Sequence, residues 1–155
     1  MINVYSVAAV VISYFLGNIS PSILIGRAMG VDIRSKGSGN AGTTNTLRVL
    51  GKKAAAATLI IDILKGVAAV LIGKYIGGQG LEMACGLAVF LGHIWPAVFQ
   101  FRGGKGIATA FGVVLTIQPL LGLLELAVAA AFLLISRRVS VGSLMAAVLL
   151  PFASW

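Results

Sequence analysis

The chain has 155 residues, 59% of them hydrophobic and only 10% charged, where a soluble domain carries roughly a quarter charged residues. Twelve bases stand against four acids, for a formal charge of +8. An ordinary soluble enzyme is excluded, and in a membrane protein such an excess reports topology and phosphate-bearing partners before nucleic acid. The length suits one unit, 1–155. The single cysteine, Cys85, sits in an apolar run. It reads as a small buried side chain, with no disulfide or metal framework expected.

Apolar runs cover about 2–26, 54–77, 81–101, 106–135 and 143–155, and about 20 apolar residues cross a bilayer as a helix. The first base, Arg27, lies behind the first run. That layout predicts a retained span with its amino end outside rather than a cleaved leader. Asn18-Ile19-Ser20 matches a glycosylation triplet but falls inside this span, so it is set aside. Runs two and three fit one crossing each. Run four is about 30 residues long and is interrupted at Gln118-Pro119, which predicts two short helices joined by a turn; one long tilted helix is the alternative.

The bases favour the turn. Arg27, Arg34, Lys36, Arg48, Lys52 and Lys53 lie between spans one and two, Arg102 and Lys105 between three and four, and Arg137 and Arg138 after run four. All three clusters face the cytoplasm only if run four crosses twice. Each half would then reach roughly 21 Å, short of a core of about 30 Å. A loop dipping below the headgroups or a locally thinned membrane would make up the difference. The expected fold is therefore an all-α polytopic helix bundle of about five complete spans plus a truncated sixth.

Three loops would share the cytoplasmic side: SKGSGNAGTTNTLR (35–48), FRGGKG (101–106) and SRRVSVGS (136–143). Each joins bases to glycine and runs into a helix. Glycine lets backbone N–H groups approach an anion, a helix amino end adds its dipole, and Arg can fork onto two phosphate oxygens. The pattern predicts phosphate binding. GSGNAG (37–42) matches a dinucleotide-binding fingerprint, but that reading needs a preceding strand and a βαβ unit. GGKG fails as a nucleotide P-loop because Gly106, not Ser or Thr, follows Lys105.

Within the spans, Asp62 and Lys65 stand one helical turn apart and predict a mutually neutralising ion pair that orients the loops, with direct substrate contact as the alternative. Glu125 has no nearby partner in sequence, and no role is assigned to it. His93 precedes the second loop, as either a hydrogen-bonded structural residue or an acid/base group. Trp95 reads as an interfacial anchor. The loops hold one acid, Asp32, and no Ser-His-carboxylate set or metal cluster; Val98 stands where a His-x4-Asp dyad would need its Asp. A site rich in donors and poor in bases suits a reaction between two phosphate compounds whose own oxygens take up the proton, with the protein positioning them and stabilising charge.

These segments resemble the three motifs of the bacterial acyl-phosphate-dependent glycerol-3-phosphate acyltransferases, integral inner-membrane enzymes. GSGNAGTTNTLR is similar to the first motif, GHIWPAVFQFRGGKGIAT to the second and RRVSVGSLMAA to the third, and DILKG (62–66) looks like a further family element. The resemblance implies acyl transfer from acyl phosphate to the 1-hydroxyl of glycerol 3-phosphate. The product would be lysophosphatidic acid, the first intermediate of phospholipid synthesis, made without metal, cofactor or acyl-enzyme. A soluble phosphate acyltransferase making acyl phosphate becomes the implied partner, and the bacterial inner membrane the implied location. Carried over by position, Ser38, Arg48, Lys105 and His93 are the catalytic candidates. Asn40, Asn45, Gly103, Gly104, Gly106, Ser140 and Ser143 are the substrate- or phosphate-binding ones, with Asp62 and Lys65 in support. Family members continue through further helix beyond the third motif, whereas this chain stops at Trp155, about 13 residues into its last run; a truncated acyltransferase domain is therefore expected. The alternative is a small phosphate or organophosphate permease, against which stand loops on one side only and no internal repeat.

Overall fold

The structure, a computed structural model, describes residues 3–136. Among the described residues there are seven α-helices, two 3-10 turns and no strand. They are α1 (Val4–Asn18), α2 (Pro21–Ala28), α3 (Thr43–Leu50), α4 (Lys52–Gly77), α5 (Gln79–Ile94), α6 (Ile107–Ile117) and α7 (Pro119–Ser136). Ser140, Ser143, the third basic loop and the last apolar run lie outside the described residues.

The first run, read as one span, is two helices bent by 41°. Pro21 brings no N–H and disfavours helix at the residue before it, so α1 ends and α2 starts with proline in its first turn. The fourth run breaks in the same way, at Gln118, with Pro119 opening α7. Two stretches, Lys52–Gly77 and Gln79–Phe99, are long and apolar enough to cross a bilayer, and α1 with α2 makes a third if the bent pair counts as one. At 11 residues α6 spans only about 17 Å.

Small residues set the helix crossings. A Cβ built on Gly17 of α1 would meet Gly92 Cα of α5 at 2.9 Å, and one on Gly92 would strike the Tyr14 carbonyl. Gly66 of α4 and Gly112 of α6 are closed in the same way, against Thr109 and Ile63 respectively. Where lipid supplies no hydrophobic drive between helices, such close backbone approach is what packs them.

The segment read as the first loop is more ordered than its composition suggests. A 3-10 turn (Ile33–Ser35) leads into it and α3 takes up its second half, and both pack with α2, while α2 and α3 also pack on α4. Ile23, Ile33, Ala41 and Phe99 form a buried cluster under Val49 and Leu50, tying this segment to the 3-10 turn (Ala97–Phe99) that leads into the second loop. The floor of this basic end is the carboxyl end of α5, level with Lys65 in the middle of α4. Leu59, Ile60, Ile61 and Leu64, between Lys53 and Lys65, all remain exposed.

Candidate active site

Asn45 organises the first loop. Its side-chain amide donates to the carbonyls of Ile33 (3.1 Å) and Lys36 (3.0 Å), and its Oδ1 accepts the Ser38 N–H at 2.8 Å. Gly37 makes the required turn at φ 59°, with Asn45 Oδ1 where a Cβ would stand. Asn45, expected among the phosphate-binding residues, is instead buried and fully used in holding the loop that carries Ser38. Asn40 is half-buried, its Oδ1 close to Gly42. Asp32 accepts from the Arg34 backbone and guanidinium; these hydrogen bonds hold its carboxyl below the usual range. Arg34 also reaches the Phe99 carbonyl at 3.4 Å, a second fastening between the loops.

The second loop folds back onto the end of α5. Gly103 N–H donates to the Ile94 carbonyl (3.1 Å) and Gly104 N–H to the His93 carbonyl (3.2 Å). The expectation that these two N–H groups face a phosphate is therefore corrected: both are spent inside the protein. Glycine is needed here for close approach. A Cβ on Gly104 would strike His93 Nε2 and stand 2.9 Å from the Ala41 carbonyl. Gly106, at φ 77°, makes the turn into α6.

Backbone donors are available one step further along each loop. Gly42 caps α3 and Gly106 caps α6, and neither cap offers a side-chain oxygen. The first-turn N–H groups of both helices are thus left for water or an anion. Ser38, Arg48 and Lys105 are exposed. Among the described residues none of their side chains has a hydrogen-bond or ion-pair partner. Arg48 lies in the last turn of α3 rather than at the end of a loop.

Beneath the loops is a buried polar knot. Lys65 Nζ lies 2.8 Å from Asp62 Oδ1, donates to the carbonyls of Ile19 (2.7 Å) and Gly17 (3.1 Å), and sits 2.7 Å from His93 Nδ1. The i, i+3 pair is thus also the cap of α1 and the support of His93. Beside it, Asn18 donates to the Tyr14 carbonyl (2.7 Å) and accepts from Val98 N–H (3.1 Å), while Tyr14 Oη donates to the Trp95 carbonyl (2.7 Å). Sequence reasoning missed Asn18 and Tyr14. The available signal was an amide within an apolar run, and it was dismissed there with the glycosylation triplet.

Fold and site define a helical membrane protein with a cation-rich, glycine-rich, acid-poor end. The profile of the glycerol-3-phosphate acyltransferase family matches residues 7–155. The glycerol-3-phosphate acyltransferase of Thermoanaerobacter sp. (strain X514) is 50% identical over 145 residues, covering 93% of this chain and 73% of that protein. That of Rubrobacter xylanophilus is 45% identical over 148 residues, covering 95% and 74%. The crystal structure of PlsY, an integral membrane glycerol 3-phosphate acyltransferase, superposes in its glycerol 3-phosphate form with a TM-score of 0.89 at 39% identity, over 94% of this chain and 74% of that one. Its lysophosphatidic acid form gives 0.86 at 38%, over 94% and 73%. The chain belongs to the glycerol-3-phosphate acyltransferase family.

Proposed function

We propose that the protein transfers a fatty acyl group from acyl phosphate to the 1-hydroxyl of glycerol 3-phosphate, releasing lysophosphatidic acid and inorganic phosphate. Acyltransferase activity on glycerol 3-phosphate follows from the family, and the related structures are of glycerol 3-phosphate and lysophosphatidic acid forms. The donor, the residue roles and the orientation are our reading of the site. The observation that carries it is the pairing of two helix amino ends, at Gly42 and Gly106, with the free bases Arg48 and Lys105 and with no carboxylate but Asp32 in the two loops.

In this mechanism the hydroxyl of glycerol 3-phosphate attacks the acyl carbonyl, the C–O bond to phosphate breaks, and the departing phosphate oxygens take the proton. Arg48, Lys105 and the helix amino ends hold the phosphates and the charge moving onto the leaving oxygen. Ser38, set by Asn45, donates from the loop tip. Asp62 does not serve as the base, since it is buried against Lys65. No metal or cofactor is called for. The basic end faces the cytoplasm of the inner membrane with the amino terminus outside, and run four crosses twice, turning at Gln118. The positive-inside distribution of the bases supports this orientation. A soluble acyl-phosphate-forming enzyme is the partner that supplies the donor.

The test is a membrane assay with purified protein, labelled glycerol 3-phosphate and three donors: acyl phosphate, acyl-CoA and acyl carrier protein. Labelled lysophosphatidic acid from acyl phosphate alone is expected. Product from either thioester overturns the donor assignment, and vesicle uptake of label without acylation would mark a permease.

A further inference from the structure

The knot around Lys65 has a property the reaction scheme does not use. A lysine ammonium carries three N–H donors and no acceptor. The three hydrogen-bond partners of Lys65 Nζ are the carbonyls of Gly17 and Ile19, which can only accept, and His93 Nδ1 at 2.7 Å, while Asp62 Oδ1, 2.8 Å away, pairs with it by charge without a hydrogen bond. A proton on Nδ1 would set two donors facing each other at that distance. The ring must therefore present a lone pair at Nδ1 and carry its proton on Nε2. The 3.3 Å approach of Nδ1 to Asp62 Oδ1 is longer than its contact with Nζ.

His93 is 4% exposed, and its other ring nitrogen lies against Gly104, near the carbonyl of Ala41. Nε2 is thus at the seam of the two loops, and no described residue accepts a hydrogen bond from it. A donor left open at such a seam takes its acceptor from water or from a ligand.

We propose that Lys65 is a positioning residue that fixes His93 as the Nε2–H tautomer, so that this single N–H meets a phosphate oxygen of bound substrate at the seam between Ala41 and Gly104. The same ammonium caps α1 just before its bend at Pro21, so the end of α1 and the donor are set by one atom. The identity of the oxygen rests on the acyltransferase reading; the tautomer does not.

His93 is the chain's one histidine, so nitrogen-15 labelling of histidine gives a single pair of ring signals in the purified, detergent-solubilised protein. A protonated Nε2 and a bare Nδ1 are expected at neutral pH. A proton on Nδ1, or on both, would overturn the proposal without bearing on the reaction. Removing Lys65 alone would strand the Asp62 carboxylate, so the relay is removed with the paired change Asp62→Asn and Lys65→Met. This variant should show a mixture of tautomers; an unchanged spectrum overturns the relay.

The activity arms separate a donor from a merely structural ring. His93→Gln places an amide N–H near the Nε2 position and should stay within about fivefold of the parent, while His93→Leu should lose on the order of 100-fold, as when one preorganised donor is removed. A KM raised for glycerol 3-phosphate assigns the oxygen to the acceptor, and one raised for acyl phosphate assigns it to the donor. Equal losses in Gln and Leu overturn the donor role. The paired change at Asp62 and Lys65 should cost about tenfold beside His93 and little further beside the Gln variant, a coupling of the kind double-mutant cycles measure. Equal costs in both backgrounds would leave Lys65 only structural. Absence of acylation in the parent itself would sink the functional reading and leave the tautomer result standing.

Discussion

At the scale of single residues, exposure and commitment sort the motif side chains more sharply than sequence could. Ser38, Arg48 and Lys105 are exposed and unpaired among the described residues, whereas Asn45, Gly103 and Gly104 are spent on internal contacts. Two substitutions separate these groups. A planar guanidinium can hold two oxygens of one phosphate, which lysine cannot. Arg48→Lys should therefore lower kcat/KM roughly 30- to 1,000-fold, or about 2–4 kcal/mol, with normal insertion and protein level; full activity would reduce Arg48 to a topogenic charge. Gly104→Ala behaves differently once its neighbours are known. As a phosphate-binding glycine alone it would be expected to weaken glycerol 3-phosphate binding, seen mainly as a raised KM, with near-normal folding. With His93 and the Ala41 carbonyl in the way, it should cost about 1–3 kcal/mol of stability. Thermal unfolding in detergent checks this, and an unaltered melting temperature would show that the loop opens freely. The Asp62–Lys65 pair was readable because its partners lie one turn apart on a helix. The work of Asn45 and of the two glycine N–H groups was not, because their acceptors are set by tertiary folding.

At the scale of elements, proline spoke clearly and glycine only by position. Gln118-Pro119 was read as a break, and the break is there; Ser20-Pro21 carries the same signal, but the apolar run around it masked it. The stretch at 35–48 looked like pure loop because its glycines and hydroxyls resemble linker composition, yet α3 starts within it at Thr43, behind an extended Gly42. Glycines on the spans divide by what faces them. Gly92 is closed by α1, while Gly80, near the start of α5, has open space. Gly92→Leu should therefore separate α1 from α5 and abolish monodisperse protein on size-exclusion chromatography, while Gly80→Leu should be tolerated. Equal behaviour of the two would mean that the α1–α5 crossing does not hold the bundle together.

For the whole molecule, composition and order along the chain were enough to indicate a helical membrane protein, and the related integral membrane structure agrees; phosphate binding by the loops belongs to the proposed function. The number of crossings is harder to read, because α6 is too short to span alone and the basic clusters count only if sides are assigned. Cysteine labelling settles the sides. With Cys85 replaced by alanine, a cysteine at Gln118 should react with an impermeant reagent added to intact cells, and one at Lys36 should react only after permeabilisation. Both positions are exposed, so protection reports the side of the membrane rather than burial. Protection at 118 together with labelling at 36 would invert the orientation proposed above.

The seam at His93 lies level with Lys65, six residues beyond the exposed Leu59 along α4, or roughly 9 Å at 1.5 Å per residue. On the acyltransferase reading, that depth decides which substrate travels. Drawing a fatty chain out of the bilayer costs about 0.8 kcal/mol per methylene, so raising a reactive carbonyl by about six methylenes would add roughly 5 kcal/mol before chemistry began. On the orientation proposed above, with Leu59 facing lipid, a seam at that level removes the climb: the lipid stays in its own solvent and the small phosphate descends, drawn by the loops' bases. Chain length would then bear little on the reaction level, and the polar substrate would bear the cost of meeting it.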